Sequence, residues 1–272
     1  MTNRIRVFAF ALALLGLSAA GPAWCDLGLN MPVGVTSTSR EIYELHMLIL
    51  WVCVVIAAGV YSAMIYAIVK FRKSKGAEPA KFTHNGVAEV IWTTIPAIIL
   101  VVMAVPAAET LIRMEDTRGS ELTIKITGFQ WRWQYDYIDD DVRFFSTLNR
   151  ESNAARKLDS GIDPYTVENY LLDVDNAMVV PVNTKVRLLV TAADVLHAWW
   201  MPAFGVKKDA IPGFINEAWF TADTEGTYRG QCAELCGMDH GFMPIVVRVT
   251  SREEYDAWLN SQRAQVSSLT AQ

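Results

Sequence analysis

Between Gln231 and Met243 the chain reads Gln-Cys-Ala-Glu-Leu-Cys-Gly-Met-Asp-His-Gly-Phe-Met, which sets Cys232, Cys236, His240 and Met243 in the pattern C-x3-C-x3-H-x2-M. A second imidazole stands upstream at His197, in Asp-Val-Leu-His-Ala-Trp-Trp. Thiolate, imidazole and thioether are soft donors, and soft sets favour copper over hard cations. A mononuclear blue-copper site takes two His, one Cys and a weak axial Met. This chain offers all of those and one Cys more. Two thiolates can bridge two ions and leave one His to cap each, so the pattern reads as a two-copper site. Two other uses of the same residues stay open. Two Cys and two His could hold one structural zinc, although zinc has no use for Met243 and the spacing is not the C-x2-C of common zinc fingers. A disulfide between Cys232 and Cys236 suits an oxidising compartment. It would close a very short loop and leave His and Met without purpose.

The elements that must position these residues start with a membrane anchor. Of 272 residues, 52% are hydrophobic, and the mean hydropathy is +0.20. That is high for a wholly soluble protein and points to membrane spans. The formal net charge of −5 excludes a generally basic nucleic-acid binder and suits basic partners where the acids cluster. Residues 1–23 read as a secretory signal: Arg4 and Arg6, an apolar stretch from Val7 to Leu17 too short to span a bilayer, then Ser18-Ala19-Ala20. Cys25 as a lipidation site fits poorly with Trp24 before it. A segment over 24–44 precedes a transmembrane hairpin over 45–114.

The first span of that hairpin runs from Leu45 to Phe71, with no Asp, Glu, Lys or Arg between Glu44 and Lys70. Cys53 lies in this apolar run as a small buried or lipid-facing side chain. Lys70, Arg72, Lys73 and Lys75 open a loop over 72–86, and positive charge just after a span marks the cytoplasmic side. The second span runs from Val87 to Ile112 and contains Pro96 and Pro106, which membrane helices tolerate when neighbours satisfy the freed carbonyls. Both termini and everything after Asp116 then lie outside the cytoplasm. Glu89, one turn into the second span, either points into water and headgroups or marks a proton-uptake point.

From Glu121 the period changes to two. Leu122, Ile124 and Ile126 alternate with Thr123, Lys125 and Thr127; after Gly128 the apolar parity flips to Phe129, Trp131, Trp133, Tyr135 and Tyr137. A flip at glycine is expected of a β-bulge. Further strands are expected over Met178–Val182, Val186–Thr191, Phe214–Ala222, Gly226–Gly230 and Pro244–Thr250, with the ligand loop joining the last two. Short strands separated by turn signals suggest a β-sandwich or barrel. Function then sits on loops at one end of it. Asn149 to Asp163 reads as a polar loop with no chemistry attached. Ser251-Arg252-Glu253-Glu254 is a capping box opening a helix to Gln262. The extramembrane domain spans 117–263 and a frayed tail 264–272.

Five stretches together resemble subunit II of the bacterial haem-copper cytochrome c oxidases: Glu89-Val-Ile-Trp92, Gly128-Phe-Gln-Trp-Arg-Trp-Gln-Tyr135, Asp194-Val-Leu-His197, Asp209-Ala-Ile-Pro-Gly213, and Gln231 to Met243. The resemblance implies two transmembrane α-helices followed by an all-β cupredoxin-like Greek-key barrel, in the bacterial inner membrane with the barrel periplasmic. It implies the binuclear copper centre called CuA. Cys232 and Cys236 would bridge the two coppers, His197 and His240 would cap one each, and Met243 and the backbone carbonyl of Glu234 would be weak ligands. The Glu234 side chain, otherwise a solvated loop acid, would help bind a magnesium ion shared with subunit I.

Trp131 would receive the electron from cytochrome c, whereas Trp133 is a sheet-face residue. Asp136, Asp141, Asp175 and Asp194, with Asp139 and Asp140 beside them, would meet the lysines of cytochrome c, though such acids also make ordinary solvated faces. Glu89 would stand at the mouth of a proton channel into subunit I. The implied partners are cytochrome c, subunit I with its haem and CuB, subunit III and the lipid bilayer, with no nucleic acid. The chain would be a component of the oxygen-reducing, proton-pumping enzyme and carry no oxygen site. Phe129 stands where many relatives carry His, and no C-x-x-C-H occurs, so the electron donor would be a separate protein.

Overall fold

The first helix begins earlier than its apolar composition suggests. In the computed structural model, which describes Gly28 and residues 30–270, α1 runs over Ser37–Lys70. Its start is a capping box: the Thr36 side chain accepts from Ser39 N, and the Ser39 hydroxyl accepts in return from Thr36 N. Here Ser does the work usually done by Glu or Gln at the third helical position. At ~1.5 Å per residue, this 34-residue helix is longer than a hydrocarbon core of ~30 Å requires. The excess lies at its start, where Thr36, Thr38 and Ser39 are buried against the domain that follows. Thr36 Oγ1 donates to Phe204 O at 2.9 Å, and Val35 N donates to Ala203 O at 2.8 Å.

The second helix, α2, spans Gly86–Met114 with Pro96 and Pro106 inside it. Both helices are long and apolar enough to cross a membrane. The expected signal peptide and Cys25 lie outside the described residues.

Among the described residues ten strands follow: β1 Leu122–Phe129, β2 Arg132–Tyr137, β3 Val142–Ser146, β4 Met178–Pro181, β5 Val186–Ala192, β6 His197–Met201, β7 Val206–Ala210, β8 Asn216–Phe220, β9 Gly226–Cys232 and β10 Pro244–Thr250. They form two five-stranded sheets in the orders β3-β2-β1-β5-β8 and β4-β10-β9-β6-β7. The pairs β1–β5 and β4–β10 are parallel and the rest antiparallel. The inner faces bury one apolar cluster that includes Ile124, Ile126, Trp133, Tyr135, Tyr137, Leu188, Trp199, Phe204, Phe220 and Val247. Two apolar helices followed by this cupredoxin-like β domain are the fold class expected from the sequence.

The parity flip after Gly128 is not a β-bulge. β1 and β2 form a hairpin whose loop is Gln130–Trp131, joined by a cis peptide bond, and Phe129 pairs with Arg132. In that register Ile124 faces Tyr137, Ile126 faces Tyr135 and Gly128 faces Trp133. Paired positions always add to an odd number, so the buried set must change from even to odd as the chain turns back. A bulge would have flipped parity within one strand; the tight turn does it between two.

The stretch from Asn149 to Asp163 also differs from expectation. It contains a short helix, α3 (Arg150–Ala155), capped by Asn149 Oδ1 accepting from Ser152 N at 2.9 Å. Ser152 and Ala155 bury its inner face. The C-terminal helix, α4, runs over Arg252–Thr270, beyond the expected end at Gln262. Ser251 Oγ accepts from Glu254 N at its start, and Tyr255 and Leu259 pack into the core.

Candidate metal centre

Three elements carry the donors. His197 is the first residue of β6, Cys232 is the last of β9, and Cys236, His240 and Met243 lie on the loop that runs from β9 into β10. Strands β6 and β9 are neighbours, with Trp199 paired to Cys232, which draws His197 and the loop to one end of the domain. His197, Cys232 and Cys236 are buried, and their donor atoms all lie within 4.8 Å of one another. The sulfurs of Cys232 and Cys236 are 3.9 Å apart. Both cysteines are free, and the gap is about twice a disulfide bond of ~2.05 Å, so the disulfide alternative is not realised.

Each thiol has its own imidazole. His197 Nδ1 lies 3.9 Å from Cys232 Sγ, and His240 Nδ1 lies 3.5 Å from Cys236 Sγ. Met243 Sδ is 3.5 Å from Cys236 Sγ, and the Glu234 carbonyl is 3.4 Å from Cys232 Sγ. A tetrahedral ion with bonds of ~2.3 Å to sulfur and ~2.0 Å to nitrogen sets its donors roughly 3.5–3.8 Å apart. The observed separations match edges of that kind. The residues therefore fit a soft metal.

The electrostatics agree. Burial penalises the Cys232 thiolate, but hydrogen bonding to His197 and to backbone at Ala198 and Glu234 outweighs it and lowers the pKa to about 7. Burial and then the charge of Cys232 push the Cys236 thiol up to about 12. Two thiolates this close resist joint ionisation, and a cation between them removes the conflict. Burial alone would lower the pKa of His197; Cys232 and Asp194 together raise it.

His197 is held from three sides. Its Nε2 meets Asp194 Oδ1 at 3.0 Å, leaving Nδ1 toward the thiol. Trp133 packs edge-on at 5.9 Å between ring centroids. Gly128 lies under the ring, where a β-carbon would come within 2.8 Å of His197 Cδ2. A carboxylate on the far nitrogen is the usual way a protein fixes the orientation of a metal-binding imidazole. Gln130 N in turn donates to Asp194 Oδ2 at 2.8 Å. Burial works against the Asp194 charge, yet the hydrogen bonds from His197 and from the N–H groups of Gln130 and Val195 hold its pKa below the usual carboxylate value.

The hairpin tip leans on the ligand loop. Gln130 Nε2 and Trp131 Nε1 both donate to the Cys236 carbonyl, at 2.9 and 3.2 Å. Gly237 has φ of +116° and sits against the same two side chains, so a larger residue there would strain the backbone and crowd them. Trp133 Nε1 reaches Met243 O at 3.4 Å. Trp131 is half-buried, with one edge on the loop.

The other expected site residues are dispersed. Asp136 on β2 is paired with Arg143. Asp175 accepts from Thr147 N and Oγ1 and from Asn176 N. Asp141 sits in the β2–β3 turn with φ of 53°, and Asp194 has both carboxylate oxygens engaged at the site. Glu234 is half-buried on the loop. Glu89 lies in the first turn of α2, far along the chain from the donors, where its carboxylate accepts from Asn85 N at 3.2 Å. The orienting part of Asp194 was missed in the sequence, although its place three residues before a candidate ligand was a usable signal. Gln130 and Gly128 carried no comparable signal.

Fold and donors together define a membrane-anchored cupredoxin-like protein whose buried His and Cys cluster points to copper. The family described as "Cytochrome C oxidase subunit II, periplasmic domain" matches residues 122–250, and "Cytochrome C oxidase subunit II, transmembrane domain" matches residues 23–109. The chain belongs to the cytochrome c oxidase subunit II family, which implies other oxidase subunits beside it. It is 39% identical to cytochrome c oxidase subunit 2 of Cereibacter sphaeroides, over 93% of this chain and 89% of that one. It is 38% identical to a probable cytochrome c oxidase subunit 2 of Rickettsia bellii, over 96% and 93%. Among solved structures, the periplasmic domain of subunit II of cytochrome oxidase (CoxB) of Bradyrhizobium japonicum is 45% identical, covering 55% of this chain and 98% of that one, with a TM-score of 0.48.

Proposed function

We propose that this chain accepts electrons from a cytochrome c and passes them to the haem of subunit I, and that His197, Cys232, Cys236, His240, Met243 and the carbonyl of Glu234 would hold two copper ions for that purpose. The observation that carries the reading is the pair of free sulfurs 3.9 Å apart, each with its own imidazole. Bound there, copper would supply one-electron chemistry. The chain's own residues do the rest. Asp194 keeps His197 Nδ1 toward Cys232. Trp133 and the buried sheet ends exclude water. The Gln130 and Trp131 N–H groups fix the Cys236 carbonyl.

Trp131 joins the outer surface to the ligand loop through that hydrogen bond, which suits it to receive the electron from a docked donor. Asp136, Asp141 and Asp175 supply attraction for a basic donor, guided at long range and weakened by salt. Asp194 adds charge there, but its carboxylate oxygens are occupied at the site. The Glu234 side chain would share a magnesium ion with subunit I, and Glu89 would stand at the mouth of a proton channel into it. Oxygen reduction and proton pumping belong to the assembled enzyme, with subunit III as a further member. A signal peptide over 1–23, a basic cytoplasmic loop over 72–86 and a periplasmic domain over 117–263, with both termini periplasmic, complete the reading for a bacterial inner membrane.

The test is copper stoichiometry together with electron paramagnetic resonance on the full chain in detergent. Two ions per chain and a seven-line hyperfine pattern, from one electron shared by two spin-3/2 nuclei, are expected. One ion per chain with a four-line pattern would overturn the proposal.

A further inference from the structure

The ligand loop is gripped at its two ends by different parts of the chain. Cys236 is held through its carbonyl by the hairpin tip, and Met243 by Trp133. Between them, residues 237–242 bond mainly within their own turn: His240 N to Gly237 O and Phe242 N to Asp239 O. Among the described residues, the hydrogen bonds that reach this stretch from another segment come from Arg156. Its guanidinium makes a two-pronged pair with Asp239, Nη1 to Oδ1 at 3.2 Å and Nη2 to Oδ2 at 3.0 Å. The same group lies over the Phe242 ring, 4.3 Å from its centroid.

Arg156 is itself well fixed. Its Nε donates to Asn153 Oδ1 at 2.8 Å, and its backbone N–H closes the end of α3 on Ser152 O. Helix α3 is seated by buried Ser152 and Ala155, and Ser152 Oγ accepts from Leu171 N at 3.1 Å. The Arg156 and Asp239 side chains are 25% and 23% exposed, so the pair is largely shielded. A cleft of about 300 Å³ bordered by Trp131, Arg156, Asp239 and Phe242 lies beside it.

We infer that Arg156 is a positioning residue for the copper site: it clamps Asp239 and Phe242, the neighbours of His240 and Met243, and so sets the second imidazole against Cys236. The inference rests on the proposed copper reading. Lysine cannot replace this function, because it lacks both the fork that matches a carboxylate and the flat face that lies on the ring. Loss of either partner leaves a shielded charge unpaired beside the loop and frees the half-buried ligand His240 while Cys232, Cys236 and His197 stay in place.

The test compares copper-loaded wild type with Arg156→Gln, Arg156→Lys, Asp239→Asn and the exchanged pair Arg156→Asp with Asp239→Arg, all as full chains. Wild type must first show two coppers and the seven-line spectrum; if it does not, the copper reading fails, not this inference alone. Given that, Arg156→Gln and Asp239→Asn should lower copper affinity, read by competition with a chelator, by about 10- to 100-fold and change the hyperfine splitting. Arg156→Lys should lie nearer Gln than wild type, and the exchanged pair should recover part of the loss. A purely structural part would lower the melting temperature of the metal-free chain and leave the spectrum of bound copper unchanged, which overturns the inference. If Arg156→Gln does not fold, Arg156→Lys and Asp239→Asn decide: wild-type affinity and spectrum in both overturn it equally.

Discussion

Gly128→Ala probes whether His197 is fixed by packing. Gly128 does not have a left-handed backbone, so alanine meets no conformational penalty and acts through its methyl group alone. That carbon would stand 2.8 Å from His197 Cδ2, 3.0 Å from Cγ and 3.2 Å from Cβ, whereas ordinary contacts begin at 3.4 Å. Ring and strand must therefore part by about 0.6 Å, the difference between 3.4 and 2.8 Å. Metal–ligand distances tolerate only ~0.2 Å. The ring has little room to yield, since it is fully buried, faces Trp133 and is tied at Nε2 to Asp194. Overpacking of this kind costs about 1–3 kcal/mol, or ~2–4 °C in Tm per kcal/mol for a protein of this size. Copper affinity should fall by at least the ~10- to 100-fold typical of lost ligand support. Gly241→Ala is the control, because nothing lies within 4 Å of its added carbon although it adjoins His240. Thermal melts of the metal-free chain and copper titration against a chelator measure both effects. If Gly128→Ala behaves like Gly241→Ala, with native affinity and spectrum, packing does not fix His197.

Asp194→Asn should keep the fold but weaken copper binding about 10-fold or more, because the imidazole loses its anionic partner; an unchanged chelator competition curve would remove that part of the account. Trp131→Phe loses the N–H to the Cys236 carbonyl and should slow electron uptake from reduced cytochrome c by orders of magnitude while two coppers remain bound, which stopped-flow absorbance can read; wild-type rates would exclude the indole from the route. Met243→Leu removes a weak donor and keeps the volume, so the spectrum should shift without loss of metal, and complete loss would contradict a minor role. Tyr135 and Tyr137 are fully buried, and burial raises both phenol pKa values, with Tyr137 held in a two-way hydrogen bond to the backbone of Val179. Their folded forms keep the proton more tightly than the unfolded chain does, so stability is intact below about pH 10 and falls above it, by up to ~1.4 kcal/mol per pH unit for each tyrosine. Melts between pH 9 and 12 should show that slope, and Tyr137→Phe should make it shallower; a flat profile would refute the assignment.

The cluster of His197, Cys232 and Cys236 was legible because metal chemistry restricts residue type and spacing. The membrane helices were legible from composition, except that α1 starts at a cap of Thr36 and Ser39 whose polar residues are buried by the β domain rather than by lipid. The hairpin at Gln130–Trp131 was misread because a bulge and a two-residue turn produce the same parity change, and only pairing tells them apart. Strands β3, β6 and β7 were not among those expected, and the last two escaped notice for opposite reasons. His197–Met201 is buried at four of its five positions, and Val206–Ala210 carries Lys207, Lys208 and Asp209 at its centre, so neither alternates simply. Helix α3 is short and polar, and its importance lies in Arg156 meeting Asp239, a pairing across 83 positions that no local pattern announces.

The way the β domain is seated on its helices has a consequence for the proposed relay. Thr36 and Val35 are bonded to residues 203 and 204, Arg40 is paired with Asp223, and Arg113 with Glu41. Trp219 donates to the Arg113 carbonyl, and the Lys185 ammonium donates to the carbonyls of Asp116 and Arg118 in the link after α2. A head on a slack leash would swing, and each delivery would wait on a chance approach to the bilayer. Here the head is tied to both helices, so on the proposed relay its swing toward and away from whatever lies beneath would be restricted.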